Sequence, residues 1–346
     1  MSSMLRLPGP VATGVGALPH KDPVQACRDV LAIFPGFPYA PTLPTRGVLE
    51  SIVFNDSEPL PGRIFLEGKM RVDSSHDLMP GMEKIYLDYM EGNYPAYAEG
   101  PEYASAFHAM LDQDLTGSIG LKCQVTGPVT FGMQVVDNDR RPIYYDPQFA
   151  DVLGKMLALR ARWCEKTMKE RTGVSQTLVI MNEPYLASLG SSVVPLDPET
   201  VRSGWHDAAN LLDGGIGIHC CSNTDWGFVM DLAPSVISFD AYTTANEFLL
   251  YPERIAEYFE KGGVVAWGFV PAEYRVFSGE TTDSLFERMA VIRARLLEYV
   301  SPEVFDTHTM ITPSCGIQFA TEDGSRAIMQ AAADIAARLR APGTAG

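Results

Sequence analysis

Short apolar runs alternate with amphipathic stretches along most of the chain, a pattern typical of repeated β-α units. The apolar runs predict strands at residues 12–18, 63–70, 119–125, 177–181, 215–219, 236–239, 264–267 and 309–311. Apolar residues at three-to-four spacing predict helices at residues 22–34, 147–172, 198–212, 252–261, 282–299 and 325–340. Asp22 and Asp197 stand where a side chain caps the first turn of a helix.

Strands separated by helices indicate a parallel sheet with right-handed crossovers. When the irregular run at 63–70 is included there are eight β-α units, which favours a closed (β/α)8 barrel over an open sheet. The length of 346 residues fits one such barrel of typically ~250 residues with insertions. We therefore expect an α/β fold in which residues 1–346 form a single TIM barrel.

Residues 35–118 interrupt the alternation. This stretch is rich in Pro, Gly, Tyr and Met and has helix-like pieces at 80–92 and 103–112. Long excursions inside compact domains are often functional. The stretch predicts an insertion or lid over the barrel mouth, and residues 341–346 predict a frayed tail.

Composition excludes several classes of protein. A net charge of -16 argues against nucleic-acid binding, because phosphates need Lys and Arg. No apolar run approaches the ~20 residues that span a membrane. The N-terminus lacks a signal-peptide core, so we predict a cytoplasmic protein. Its six cysteines are then expected to be free thiols, metal ligands or core residues rather than disulfides.

Polar and titratable residues directly follow four of the predicted strands. Because catalytic groups of an α/β barrel lie at the carboxyl ends of its strands, we expect these side chains to meet at one rim. They are Asn182 and Glu183 after 177–181, His219 and Cys221 at the end of 215–219, Asp240 after 236–239, and Cys315 after 309–311.

His219, Cys221 and Cys315 offer the imidazole and thiolates that zinc prefers. Residues two apart on an extended chain point the same way, so His219 and Cys221 can face one metal while Cys220 faces elsewhere. Asp240 either supplies an oxygen ligand or orients His219, and a water can fill the remaining position instead. Glu183, which precedes a proline, is either a helix cap or a substrate contact, and we favour the substrate contact.

Several segments of the chain resemble the catalytic barrel of cobalamin-independent methionine synthase. That family belongs to a superfamily that also contains uroporphyrinogen decarboxylase and the zinc methyltransferases that methylate coenzyme M. The resemblance extends over nearly the whole chain. It is carried by residues 14–19 (Gly-Val-Gly-Ala-Leu-Pro), 124–130 (Gln-Val-Thr-Gly-Pro-Val-Thr), Asn182-Glu183-Pro184, His219-x-Cys221-x-Asn223, 236–240 and Pro313-Ser314-Cys315-Gly316.

The resemblance implies a zinc centre and an amino-acid acceptor. It assigns the metal to His219, Cys221, Asp240 and Cys315, although family members often carry Glu at the position of Asp240. The Gly-rich first strand would hold the carboxylate of homocysteine, and an Asp-Glu-Pro motif, here with Asn in place of Asp, would hold the amino group. The implied substrate-binding residues are Gly14, Gly16, Ala17, Asn182 and Glu183.

The reaction implied is zinc-dependent methylation of the homocysteine thiol to give methionine, with His219, Cys221 and Cys315 as the catalytic residues. Full-length folate-using members carry a duplicated barrel that this length excludes. The chain resembles the short "core" methionine synthases instead, which implies methylcobalamin or a methylated corrinoid protein as methyl donor.

The sequence is also compatible with three other functions. The acceptor can be another thiol such as coenzyme M, with a methylcorrinoid or methyl-folate as donor. A metal-free decarboxylase of the uroporphyrinogen type would not require the His-Cys-Cys set. A non-catalytic zinc-binding or corrinoid-docking protein would bind metal without transferring a methyl group.

Overall fold

The computed structural model describes residues 4–66 and 68–341. Apart from Ala341, the tail predicted at 341–346 lies outside the described residues. Within those ranges no helix is both long and apolar enough to cross a bilayer.

Strands and helices alternate along the described chain. The strands are β1 (Val11–Ala12), β2 (Arg63–Leu66), β3 (Lys69–Val72), β4 (Gly120–Thr126), β5 (Gln176–Asn182), β6 (Gly215–Cys220), β7 (Val236–Phe239), β8 (Val264–Val270) and β9 (Thr309–Pro313). The helices are α1 (Pro23–Ile33), α2 (Met79–Glu91), α3 (Ser105–Leu111), α4 (Pro128–Gln134), α5 (Pro147–Thr172), α6 (Pro198–Leu211), α7 (Trp226–Asp231), α8 (Ala241–Phe248), α9 (Pro252–Glu260), α10 (Tyr274–Phe277), α11 (Thr282–Leu296), α12 (Pro302–Thr307) and α13 (Glu322–Arg340).

Aspartate followed by proline begins several of these helices. Asp22, Asp146 and Asp197 accept hydrogen bonds from first-turn amides of α1, α5 and α6, and a proline follows each of them. Proline suits this position because its missing N–H would have no partner there. The caps predicted at Asp22 and Asp197 are confirmed.

Seven strands form one curled parallel sheet in the order β1-β9-β8-β7-β6-β5-β4. Consecutive strands from β4 to β9 are neighbours and are connected through helices, which gives a barrel-like α/β fold. The helices predicted at 147–172 and 198–212 and the strand predicted at 236–239 match α5, α6 and β7 closely.

Two predicted strands are wrong in part. The run at 63–70 forms the antiparallel hairpin β2-β3, outside the parallel sheet, because Gly68 adopts a left-handed φ of 72° between the two halves. Of the run at 12–18, only Ala12 lies in a regular strand (β1), and Ala17 forms an isolated bridge, because Gly16, with φ of 39°, interrupts the run.

A segment at residues 38–42 lies against both edges of the curled sheet. Tyr39 forms a parallel bridge to Lys122 of β4, and Thr42 forms one to Ala17 beyond β1. Gly14 makes the approach of this segment feasible, because a Cβ there would lie 2.1 Å from Cε1 of Tyr39. This segment belongs to the sequence that we predicted as an insertion.

Alternate residues of each strand face two different apolar cores. Val179 and Met181 of β5 face the helices, whereas Leu178 and Ile180 face a smaller core enclosed by the sheet. Leu5 and Leu7, which precede β1, also belong to the enclosed core. The enclosed core therefore uses the amino-terminal halves of the strands.

The carboxyl ends of the strands carry polar side chains on the enclosed face. The register pairs Thr126 with Asn182, Asn182 with His219, and His219 with Ser238. Paired residues of neighbouring parallel strands point to the same side. A polar rim therefore covers the enclosed apolar core.

We expect Gly217→Ala to destabilise the fold, because a Cβ at this position would lie 2.4 Å from Ile180 Cδ1 and 2.7 Å from the Val236 carbonyl oxygen. Denaturant unfolding should show a loss of about 1–3 kcal/mol. Gly36→Ala is the control, because its nearest contact would be Ile119 Cδ1 at 3.8 Å, and its effect should stay below about 1 kcal/mol. Equal stability of the two variants would contradict the enclosed position of residue 217.

Candidate metal centre

His219, Cys221 and Cys315 converge at the polar rim. One ligand atom from each residue lies within 4.8 Å of the others. His219 lies on β6, Cys221 follows β6 and Cys315 follows β9, three positions away in the sheet order. Only a curled sheet brings the ends of such distant strands together.

His219 is held so that one ring nitrogen is available to a ligand. Its Nδ1 lies 2.9 Å from the Ser238 hydroxyl oxygen, and its Nε2 is buried and has no hydrogen-bond partner among the described residues. A buried polar atom without a partner is costly unless something binds it. Ser238 was missed by the sequence interpretation, although it lies two residues before Asp240 on the same face of β7.

The two thiols of the centre contact each other. The Cys315 thiol contacts the Cys221 sulfur, and this contact, followed by that of His219, lowers the pKa of Cys221 to about 4. The same contact and burial raise the pKa of Cys315. A bound metal cation takes the place of the protons of such thiols.

The donor set fits zinc. Two sulfurs and one imidazole nitrogen make three protein ligands, and zinc sites that do chemistry leave the fourth position open for water or substrate. Cys220 lies on the other side of β6, where its thiol is buried in the helix-facing core and burial raises its pKa to about 12. The prediction that Cys220 faces away from His219 and Cys221 is confirmed.

Asp240 lies beside the centre and caps α8. Its carboxylate accepts from the Thr243 amide at 3.0 Å and from the Thr243 hydroxyl at 2.6 Å. Burial raises its pKa, and the negative charge of Cys221 adds to this effect. Among the described residues, the converging set contains His219, Cys221 and Cys315 without Asp240. Its role as a fourth ligand stays a prediction.

Glu183 binds the first turn of α4. Its carboxylate accepts from the amides of Val129 and Thr130 at 3.0 and 2.8 Å and from the Thr130 hydroxyl at 2.7 Å. It is 4% exposed, and burial raises its pKa to about 7. The geometry favours a helix-capping role for Glu183 over the predicted substrate contact. The capped helix is α4, not the helical turn that begins at Pro184.

Asn182 ends a chain of polar groups in the enclosed interior. The Asn182 side-chain oxygen Oδ1 accepts from the Gln124 side-chain amide Nε2 at 2.5 Å. The Gln124 Oε1 in turn accepts from the Lys122 ammonium at 3.3 Å. Lys122 is buried, which lowers its pKa to about 7. Neither Lys122 nor Gln124 was predicted as a site residue, although Gln124 begins the segment 124–130, because both lie within a run typical of a strand.

The Gly-rich segment lies next to the loop of Cys315. The Ile317 amide donates to the Ala17 carbonyl at 2.7 Å, and a Cβ at Gly316 would lie 3.1 Å from that of Ala17. On its other side, a Cβ at Gly16 would lie 2.8 Å from the Gln124 side chain. The structure therefore brings Gly16 and Ala17 between the Cys315 loop and the interior polar chain.

Comparison with solved structures supports the fold. A B12-independent methionine synthase from a Shewanella species, solved with selenomethionine, is 15% identical, with 98% of each chain covered and a TM-score of 0.57. A candidate vitamin-B12-independent methionine synthase from Listeria monocytogenes is 14% identical, with 96% of this chain and 99% of that chain covered and a TM-score of 0.54. No protein-family model and no curated protein matches the sequence. At these identities the likeness shows a shared fold.

Ser238→Ala should weaken zinc binding, because loss of the hydroxyl frees the His219 ring to rotate. Removing such a partner of a metal ligand typically lowers affinity 10–100-fold. Chelator competition on the purified protein measures this, with Ser222→Ala, at an exposed position one residue after Cys221, as control. Unchanged zinc affinity in Ser238→Ala would show that the hydroxyl does not orient His219.

Proposed function

We propose that this protein is a zinc-dependent methyltransferase that methylates the thiol of homocysteine to give methionine. The observation that carries the proposal is the buried, unpartnered Nε2 of His219 beside the sulfurs of Cys221 and Cys315. The shared fold with two structures described as B12-independent methionine synthases supports it.

In this proposal His219, Cys221 and Cys315 hold the metal and Ser238 fixes the imidazole. A bound zinc lowers the pKa of a substrate thiol and orients its sulfur. Binding of a metal would release the protons that the two cysteine thiols still carry. In the reaction a sulfur–carbon bond forms to the methyl group, and the bond between that methyl group and the donor breaks.

The acceptor proposal rests on the segment beside Cys315. Backbone groups of Gly14, Gly16 and Ala17 would receive the carboxylate of homocysteine, next to the proposed metal. Asn182, which stands in place of the Asp of the family's Asp-Glu-Pro motif, would face the amino group of homocysteine. Asp240 would be the fourth metal ligand, which requires its carboxylate to give up the hydrogen bonds from Thr243.

A second acceptor class is favoured by one observation. The Glu183 carboxylate is taken up by α4, and Asn182 carries no charge, so neither residue offers a free carboxylate to an ammonium group. A thiol without an amino group, such as coenzyme M, would not need one. Competition between homocysteine and coenzyme M for methylation separates the two acceptors.

The donor is the least constrained part of the proposal. The resemblance to short family members favours methylcobalamin or a methylated corrinoid protein, whereas the two solved structures with this fold are described as B12-independent. Methyl-folate is therefore the other donor to be assayed. Parallel turnover measurements with methylcobalamin and methyl-folate decide between them.

The proposal also covers the closure of the barrel, its lid and the cellular compartment of the enzyme. We take residues 38–42 as the eighth position of a closed (β/α)8 barrel and the remainder of 35–118 as its lid. We propose that the enzyme acts in the cytoplasm.

Cys315→Ser should abolish zinc binding and methyl transfer together, because the site would lose one of its two sulfur ligands. Metal analysis and methionine formation are measured on the same preparation. Cys220→Ala is the control, because Cys220 faces the other side of β6 and should leave both quantities unchanged. Full zinc content with full turnover in Cys315→Ser would overturn the proposed centre.

Chelation of the wild-type protein should remove turnover, and added zinc should restore it. Decarboxylation of uroporphyrinogen by the metal-free protein, without methyl transfer to a thiol, would favour the metal-free decarboxylase class. Zinc binding without methyl transfer from either donor would favour a non-catalytic protein.

A further inference from the structure

A cavity lies between the β2-β3 hairpin and the end of α4. It has a volume of about 580 Å³, within the ~300–1,000 Å³ range of ligand pockets. Met70 and Phe54 contribute apolar surface, and Lys69, Arg71 and Arg140 also line it. We call it the cationic cavity.

The cations of this cavity have no ion-pair partner among the described residues. Lys69, Arg71 and Arg140 form no ion pair with any residue in the ranges 4–66 and 68–341, and the lining residues described there include no acid. The Arg71 Nε is buried and has no hydrogen-bond partner. The Arg71 Nε is therefore the buried atom that a ligand could satisfy, and the exposed Lys69 and Arg140 add positive charge beside it in a chain with 43 acidic and 27 basic residues.

Backbone strain is concentrated at the same cavity. Three non-glycine residues of the described chain adopt a positive φ, and two of them, Val53 at 74° and Arg140 at 63°, line the cavity. A left-handed conformation is unusual for a β-branched residue and persists only where surrounding contacts enforce it. The Val53 amide donates to the Thr126 hydroxyl at 3.0 Å, which fixes this conformation.

The cavity is tied to the rim that carries the metal centre. Thr126 ends β4, pairs in register with Asn182, and Asn182 pairs with His219. Neighbouring strands lie ~4.8 Å apart, so the backbone that anchors Val53 lies on the order of 10 Å from that of His219. The cationic cavity therefore shares no residue with the proposed zinc ligands and is attached to the carboxyl end of the same sheet.

We propose that the cationic cavity binds a small organic anion. Its carboxylate or phosphate group is held by Arg71 with Lys69 and Arg140, and its apolar body lies against Phe54 and Met70. Guanidinium groups bind both kinds of anion through paired hydrogen bonds. The inference does not depend on the proposed methyl transfer, because none of these residues belongs to the metal centre.

Calorimetric titration of the full-length protein tests the proposal with four probes. Phenyl phosphate and phenylacetate carry the anionic group on an apolar ring, inorganic phosphate lacks the ring, and benzyl alcohol lacks the charge. We expect phenyl phosphate or phenylacetate to bind at least tenfold more tightly than inorganic phosphate and benzyl alcohol. The better of these two identifies the phosphate or the carboxylate as the preferred anion.

Variants locate the binding. Arg71→Gln and Lys69→Gln should each weaken binding of the better probe, Arg71→Gln by at least tenfold. Arg28→Gln removes the same charge at an exposed position on α1 and should leave binding unchanged. Lys69 is exposed, so its variant keeps the test valid if Arg71→Gln fails to fold.

Two outcomes would overturn the proposal. One is that neither ring-bearing anion binds the wild-type protein at millimolar concentration. The other is that Lys69→Gln and Arg71→Gln bind the better probe as tightly as Arg28→Gln does. Neither outcome would affect the zinc and turnover measurements, so failure of this site and failure of the methyltransferase proposal are distinguishable.

Discussion

The two-residue alternation of side chains along parallel strands is the constraint on which the rest of this structure depends. In a curled sheet it sends one set of side chains into the enclosed space and the other toward the helices. Apolar residues fill most of the enclosed space at the amino ends of the strands, and polar residues occupy it mainly toward the carboxyl ends. Lys122 of β4, in register with Leu178 of the enclosed core, is an exception. A slip of β6 by one residue would exchange His219 for Cys220 and remove the metal centre.

Thr126 connects the rim to the long excursion that precedes β4. Its amide donates to the buried Asp56 carboxylate at 2.8 Å, and its hydroxyl accepts from Val53. Arg160 of α5 lies 3.9 Å from the same carboxylate and offsets its charge. The excursion is thus fixed to the strand whose end borders the interior polar chain, which places the cationic cavity beside the rim.

Local sequence signals predicted most of the regular elements. The helices α5 and α6 follow from apolar spacing and Asp-Pro starts, and β6 to β9 from apolar runs between helices. The convergence of His219, Cys221 and Cys315 followed from one further rule, that the carboxyl ends of parallel strands share an edge. These predictions depend on the spacing of apolar residues within single elements or on a general rule of the fold.

The sequence by itself determined the strand-helix order, the two-residue spacing of His219 and Cys221, and the side of β6 that Cys220 faces. Only the tertiary structure decided that residues 63–70 fold back as a hairpin, that residues 38–42 lie against both sheet edges, and that Glu183 binds α4. It alone placed Ser238 against His219 and gathered Lys69, Arg71 and Arg140 around one cavity. The physical reason is that these contacts join residues distant in sequence, and a side chain's partner is set by the packing of whole elements rather than by its neighbours along the chain.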